Sequence, residues 1–142
     1  MDIFEHHNKQ DKYLILVRKL KEAFITFTDD MLEVFPKCND LFMQRIIAHQ
    51  LPDTSLYKIL DNNMNIEKIF IQDDFYLKHQ LKLLNNYHQY LNEEYYACKL
   101  DVFTFNYLNN VHTNTLEDNI DMIWKWLKVI ALFIKNINSL SH

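Results

Sequence analysis

The chain has 142 residues, a formal net charge of −4, only two prolines and no glycine. Phosphate-binding loops, dinucleotide fingerprints and nucleophile elbows all need glycine, because only a residue without Cβ lets backbone N–H groups close around an anion or form a strained turn. With 19 acidic against 15 basic side chains and no basic run longer than two residues, the sequence also lacks the charge pattern of nucleic-acid binding, and we expect no nucleic-acid partner.

The first predicted element is a long amphipathic helix from Asp11 to Phe35, preceded by residues 1–10, which we expect to be frayed or flexible. Asp11 is its predicted N-cap, and Pro36 ends it because proline has no N–H and its ring clashes with the preceding turn. Apolar residues recur along it at spacings of three and four: Tyr13, Leu16, Val17, Leu20, Phe24, Phe27, Met31 and Val34. A second apolar stripe predicts contact with two neighbours: Leu14, Ile25 and Leu32.

Three short helices are predicted to follow. The first starts at Asn39 and ends before Pro52, and the second is capped by Asp53 or Thr54. The third contains Ile66, Ile69 and Phe70. The cluster Asp61-Asn62-Asn63 between them is predicted to be a turn, because Asn and Asp tolerate left-handed backbone angles better than other non-glycine residues.

A longer helix is predicted from Asp73 to about Cys98, with an interruption near residues 85–86 left open. Its apolar residues are Phe75, Leu77, Leu81, Leu84, Tyr87, Leu91 and Tyr95. Residues 100–110 alternate enough to suit a strand, but we favour helix or loop because no second strand is evident to pair with them.

The last predicted helix begins with the acidic segment Thr115 to Asp118 and has the clearest pattern. Its apolar seam consists of Ile120, Ile123, Leu127, Ile130, Ile134 and Ile137. Further apolar residues widen the seam on both sides: Trp124, Ala131, Trp126 and Phe133. So wide an apolar arc is typical of a helix that is largely surrounded by others.

These elements predict an all-α fold, a compact bundle of five to seven helices with a long N-terminal helix and a largely buried C-terminal helix. Apolar residues make up 49% of the chain and aromatic residues 14%. A chain of this length buries roughly 70% of the surface of its unfolded state. Residues 1–142 are therefore predicted to form a single helical domain.

The ionisable residues do not form a recognisable chemical motif. Of the seven histidines, His6 and His7 are adjacent, His79 and His88 are nine positions apart, and there is no HExxH or CxxC motif. The acidic pairs suit helix starts or solvated faces: Asp29-Asp30, Asp73-Asp74 and Glu93-Glu94. Cys38 beside a proline-bounded turn suits packing better than reactivity. We predict no metal, no cofactor and no catalytic residue, and therefore no enzyme.

Aromatic side chains are the most prominent candidates for contact with another molecule. Tyr and Trp combine an apolar body with a polar end, a combination enriched at interfaces, although the same rings can simply fill a core poor in alanine. Trp124 and Trp126 cannot both face one neighbour, because residues two apart lie on different sides of a helix. The predicted interface residues are Tyr95, Tyr96 and Trp126.

Two features bear on cellular location. The amino terminus is polar and acidic, unlike a signal peptide, and the longest charge-free apolar run near the C-terminus, residues 129–134, is far shorter than the roughly 20 residues of a membrane-spanning helix. We expect an intracellular protein without a membrane span.

Three stretches stand out: residues 30–36 (DMLEVFP), 73–75 (DDF) and 121–127 (DMIWKWL). Together they resemble small helical proteins encoded by nucleocytoplasmic large DNA viruses, such as those of amoebae and algae. A strong excess of lysine over arginine, with abundant Asn, Ile, Tyr and Phe, is also typical of AT-rich genomes. The resemblance spans roughly residues 20–135 and carries no catalytic residues. It implies a viral accessory or virion-associated protein in the host cytoplasm or the virion.

The leading hypothesis is a non-enzymatic viral protein that binds a viral or host protein or its own copies, so that a homo-oligomer is one alternative. A second hypothesis is an inhibitor of a host pathway, a Bcl-2-like bundle that binds an amphipathic helix in an apolar groove. Against it, the glycine-containing helix start of that family's groove motif is missing. A third is an enzyme with a site assembled from distant Asp, Glu and His residues.

Overall fold

The structure is a computed structural model that describes residues 2–84 and 113–140. The regular elements of these two ranges are seven helical segments: α1 (Asp2–Val34), α2 (Asn39–Gln50), α3 (Asp53–Asn63), α4 (Ile66–Phe70), a π-helical turn (Tyr76–Gln80), α5 (Thr113–Asp118) and α6 (Ile120–Leu140). The predicted all-α bundle is confirmed.

Helices α1 and α6 form the centre of the bundle, and each buries the seam that its sequence predicts. From α1 the core receives Val17, Leu20, Phe24, Phe27 and Met31, and from α6 it receives Ile123, Leu127, Ile130, Ile134 and Ile137. Helix α1 also packs against α2 and α3, while α3, α4 and α5 pack against α6. The structure therefore confirms both the middle position of α1 and the burial of α6.

The two central helices are antiparallel. Asp30, near the C-terminal end of α1, accepts a hydrogen bond from Trp126, in the N-terminal half of α6. At the opposite end, the ring of Tyr57 from α3 contacts Tyr13 in an edge-on arrangement, with centroids 6.2 Å apart. The Tyr57 hydroxyl donates to Asn138 near the C-terminal end of α6.

The start of α1 differs from the prediction. The helix begins at Asp2, and Asp11 lies inside it instead of capping it. Residues 2–10 contain neither proline nor glycine, so no residue stops the helix from extending toward the N-terminus. The predicted end is confirmed, since α1 ends at Val34, just before Pro36.

The turn between α2 and α3 is stabilised by a lysine from α1. Pro52 occupies the N-cap of α3, so the predicted cap at Asp53 or Thr54 is wrong, and Asp53 is the first helical residue. Lys21 Nζ donates to the carbonyl oxygen of Leu51 (2.6 Å) and lies 3.6 Å from Asp53 Oδ1. One ammonium thus satisfies a carbonyl at the end of α2 and balances an acidic residue at the start of α3.

The turn predicted at Asp61-Asn62-Asn63 is also wrong, because these residues form the last turn of α3. Asp61 Oδ1 accepts a hydrogen bond from Asn138 Nδ2 (3.0 Å), and Asn63 Nδ2 donates to the carbonyl oxygen of Leu83 (2.7 Å). The side chains therefore bond to other segments instead of to their own backbone, which removes the local competition that makes Asn and Asp favour turns.

The helix predicted from Asp73 to Cys98 starts as predicted, with Asp73 at its first turn, but it ends at Gln80 instead of continuing through residues 81–84. A π-helical turn ends at Gln80, where the N–H of Leu81 donates to the carbonyl of Tyr76 (2.8 Å), and Leu81 itself is extended. Leu81, Leu83 and Leu84 are all buried. One helix face could not bury all three, because Leu81 and Leu83 would lie about 200° apart. The remainder of that helix and the segment 100–110 lie outside the described residues.

Helix α4 ends in a Schellman motif without glycine. The N–H of Asp73 donates to the carbonyl of Lys68 (3.0 Å), and the N–H of Gln72 donates to the carbonyl of Ile69 (3.1 Å). Of the described residues, Gln72 alone has a positive φ, 55°. This position usually holds glycine, because a Cβ there approaches the following carbonyl oxygen at a cost of about 1–2 kcal/mol.

Replacing Gln72 with glycine should therefore stabilise the protein. We expect Gln72→Gly to raise the free energy of unfolding by about 0.5–1 kcal/mol, the strain relieved less the larger entropy of an unfolded glycine. Urea denaturation followed by circular dichroism measures the change. The matched control is Gln10→Gly in the exposed part of α1, which should lower the same quantity by about 1 kcal/mol. If both variants lower the free energy of unfolding, the proposed backbone strain at Gln72 is contradicted.

Candidate functional site

Large apolar side chains exposed among the described residues fall into two groups. Four lie singly or in a pair on three of the helices: Leu14 and Ile15 on α1, Phe42 on α2 and Leu132 on α6. The other three, Phe70, Ile71 and Phe75, lie within six consecutive residues around the turn that follows α4. We call these three residues the junction surface. Ile71 is 72% exposed and Phe75 62%, the highest values in the set.

The backbone of this turn explains why its apolar side chains face outward. Helix α4 buries Ile69, which leaves Phe70 on its outer side. After the reversal at Gln72, Asp73 Oδ1 accepts the N–H of Tyr76 (2.9 Å) and starts the next helical turn. That turn buries Tyr76 and Leu77, so Phe75 points away from the core.

A second hydrogen bond fixes the same turn to α4. The Tyr76 hydroxyl accepts the backbone N–H of Asn65 (2.8 Å), the residue that caps the start of α4. Burial raises the pKa of this hydroxyl, and the hydrogen bond from Asn65 partly opposes the increase. The neutral phenol is therefore a fixed part of the scaffold beneath the junction surface.

Charged groups of both signs border the junction surface. On the side of α6, Lys135 Nζ lies 5.9 Å from the centre of the Phe70 ring, and the exposed Leu132 precedes Lys135 by one helical turn. Asp74 directly precedes Phe75, and its Oδ2 lies 3.3 Å from Lys78 Nζ, which also donates to Glu117 of α5. The hydrogen bond to Glu117 is the main cause that raises the pKa of Lys78. Two carboxylates thus share one ammonium.

Of the three predicted interface residues, Trp126 is the one that lies in the described ranges. Tyr95 and Tyr96 lie outside the described residues. Trp126 is half-buried, and its Nε1 donates to Asp30 Oδ2 at 2.6 Å, so the polar end of this indole bonds within the fold. Trp124 is buried on another side of α6, in agreement with the argument that the two rings face different neighbours.

The apolar pattern of the sequence does not indicate the junction surface, because Phe75 falls in the apolar stripe of the helix predicted from Asp73. The residues that share a helix face with Phe75 nevertheless indicate that this face is exposed. In a regular helix Phe75 would share a face with Lys78, His79 and Lys82, all of which are polar. The structure agrees with that spacing, since the rings of Phe75 and His79 contact each other in a tilted arrangement, with centroids 4.8 Å apart.

Cys38 lies at the N-cap of α2 and lines a small open pocket of about 120 Å³ together with residues 34–37 and Thr115. Burial raises the pKa of the thiol, the backbone N–H of Leu41 opposes the increase, and the nearby carboxylate of Asp40 adds to it. Since the thiolate is the reactive form, this environment disfavours a nucleophile.

The described ranges contain neither a metal-binding cluster nor a membrane-spanning helix. His, Cys, Asp and Glu side chains there form no group of three or more that could hold a metal ion. No helix there combines the length and the apolarity needed to cross a bilayer.

Comparison with known proteins adds no constraint on family, because no family model, no curated protein and no solved structure matches the chain.

The environment of Cys38 predicts slow alkylation. In a Cys98→Ser background at pH 8, we expect iodoacetamide to modify Cys38 at least about tenfold more slowly in the folded protein than in urea. Because the folded pKa lies above the ordinary value of 9.0, the stabilising contribution of the neutral thiol is present below pH 9 and is lost as the pH rises through the folded value. Replacement by alanine should reduce this alkaline loss of stability. Equal alkylation rates in the two states would contradict the burial.

Proposed function

We propose that the protein is a non-enzymatic interaction protein that binds another protein chain, viral, host or its own copy, through the junction surface. The observation that carries the proposal is the exposure of Ile71 and Phe75 on a rigid turn. An apolar side chain held in water gains free energy when a partner covers it, about 25 cal/mol per Å² of area removed from water.

The rigidity of the turn supports this role. The Schellman hydrogen bonds, the cap by Asp73 and the hydroxyl of Tyr76 all hold the backbone in place before any partner arrives. A surface that is already ordered loses less conformational entropy on binding, so more of its contact energy contributes to affinity. Strained backbone such as that at Gln72 is also found preferentially at functional positions.

The resemblance to proteins of large DNA viruses extends the proposal to a biological setting. In that setting the chain is a viral accessory or virion-associated protein, present in the host cytoplasm or in the particle. An enzymatic role, a cofactor and a nucleic-acid partner have no place in the proposal.

The proposal predicts a specific pattern of co-purification from cells that make the tagged protein. The double variant Ile71→Ser/Phe75→Ser should lose bound proteins at least about tenfold relative to the wild type, because it removes the exposed apolar contacts. The double variant Leu14→Ser/Phe42→Ser is the matched control, since it removes comparably exposed side chains on α1 and α2. Quantitative mass spectrometry measures the difference. Equal losses in the two variants would indicate non-specific adhesion and would count against the junction surface.

One observation favours the alternative, a Bcl-2-like inhibitor that binds an amphipathic helix. Helix α6 is apolar and is surrounded by α1, α3, α4 and α5, as a central helix of such a bundle would be. This alternative predicts that labelled death-motif peptides bind the purified protein, which fluorescence anisotropy measures. A dissociation constant weaker than about 50 µM for every peptide would reject it.

A further inference from the structure

We propose that an ion-pair cluster of Lys78, Asp74 and Glu117, which we call the clasp, couples helix α5 to the turn that carries the junction surface. Loss of the positive charge of Lys78 then increases the local opening of both segments together. The inference rests on the proposed function for its consequence, because it makes the order of the binding surface depend on α5.

One half of the clasp spans Phe75 of the junction surface. Asp74 directly precedes Phe75, and its Oδ2 lies 3.3 Å from the Nζ of Lys78, four residues further along the chain. The ring of Phe75 contacts that of His79, the residue after Lys78. The ion pair therefore closes the same helical turn that directs Phe75 outward.

The other half of the clasp reaches α5. Lys78 Nζ also donates to Glu117, and among the described residues this is the one hydrogen bond or ion pair between residues 73–80 and α5. Helix α5 has six residues, too few to be stable alone. It is held to α6 by the buried Leu116 and by Asn119, whose Nδ2 donates to the carbonyl oxygen of Thr115 (2.8 Å).

The contacts of the same turn with α4 do not involve a carboxylate. Lys68 Nζ donates to Gln80 Oε1 (3.2 Å) and lies 5.7 Å from the centre of the Tyr76 ring. The Tyr76 hydroxyl accepts the N–H of Asn65. A loss of charge at Lys78 therefore releases the turn from α5 but leaves it attached to α4, so we expect local opening and not unfolding of the bundle.

The clasp is better covered than an ordinary surface ion pair. The Lys78 side chain is 15% exposed, whereas Arg18 and Glu22, which pair on α1, are 63% and 69% exposed. Exposed pairs contribute little, because water and salt screen them and both side chains lose entropy. The hydrogen bond to Glu117 is the main cause that raises the pKa of Lys78, although partial burial opposes the increase. Loss of the ammonium also leaves two neighbouring carboxylates without a counter-charge.

Residue-resolved hydrogen exchange of the purified full-length chain tests the coupling. The reporters are the N–H of Leu81, which donates to Tyr76, and the N–H of Asn119, which donates to Leu116, with the N–H of Leu51 in α2 as the reference. Lys78→Gln should accelerate exchange at both reporters about fivefold and leave Leu51 within about twofold. Lys78→Arg should restore wild-type rates, because it keeps the charge. Acceleration at one reporter alone, or at Leu51 as well, overturns the clasp.

Two variants of the carboxylates locate the coupling. Glu117→Gln, a change on α5, should accelerate exchange at Leu81 as much as Lys78→Gln does, because coupling between two segments is reciprocal. Asp74→Asn is the matched control, since it leaves the bond between Lys78 and Glu117 in place, and Asn119 should stay within about twofold of the wild type. Exchange at Leu81 that ignores Glu117→Gln overturns the clasp.

Salt separates charge from packing of the lysine stem. About 1 M NaCl should reduce the difference between the wild type and Lys78→Gln, because it shortens the Debye length to about 3 Å. Arg18→Gln, which removes the exposed pair on α1, should not change either reporter at any salt concentration. A difference that persists undiminished in salt assigns the effect to packing and overturns the clasp.

Co-purification links the clasp to the binding surface. Lys78→Gln should retain at least about threefold less bound protein than Lys78→Arg, because a less ordered surface loses more entropy on binding. Equal amounts overturn this consequence. If exchange responds as expected but Ile71→Ser/Phe75→Ser loses no bound protein, the clasp stands and the proposed function is rejected. If that double variant loses bound protein but Lys78→Gln leaves exchange unchanged, the clasp is rejected and the proposed function stands.

Discussion

The antiparallel contact between α1 and α6 is the interaction on which the rest of the structure depends. Their two apolar seams meet along most of the length of α6, and burying each large side chain contributes roughly 1.5–3 kcal/mol. The hydrogen bond from Trp126 to Asp30 fixes how far one helix is shifted along the other. Helices α2 and α3 then pack on α1, and α4 packs on α6, so the position of the junction surface follows from this one contact.

The absence of glycine explains how the chain turns. Two prolines end or precede helices, and a residue with a Cβ takes the left-handed position after α4, at Gln72. The turn carries backbone strain at that residue. It reverses the chain tightly, and Ile71 and Phe75 on either side of the reversal lie outside the core. The absence of glycine therefore accounts for the strain at Gln72, while the reversal itself accompanies the exposure of Ile71 and Phe75.

The two long helices α1 and α6 could be predicted from sequence, whereas the turns and the end of the helical segment at Gln80 could not. The seams of α1 and α6 repeat over many residues, so local exceptions do not hide the period. By contrast, Asp61 and Asn63 have turn propensity but bond to α6 and to the segment after Gln80, contacts that no local pattern contains. The junction surface was missed for a similar reason, since it depends on a reversal at Gln72 that the sequence does not mark with glycine.

A buried polar pair has a consequence for the uniqueness of the fold. Between α1 and α2, Gln44 Nε2 donates to Thr28 Oγ1 (2.9 Å), which donates to a backbone carbonyl, while Gln44 Oε1 has no partner in the described part of the chain. Beside it, Arg45 pairs with Asp29. A slip of α2 by one residue would leave the Gln44 amide without this partner, at a cost of about 1–3 kcal/mol, while the Thr28 hydroxyl keeps its bond to Phe24 within α1. The hydrogen bond between Gln44 and Thr28 thus favours one alignment of α2 on α1 over others that apolar contacts alone would allow.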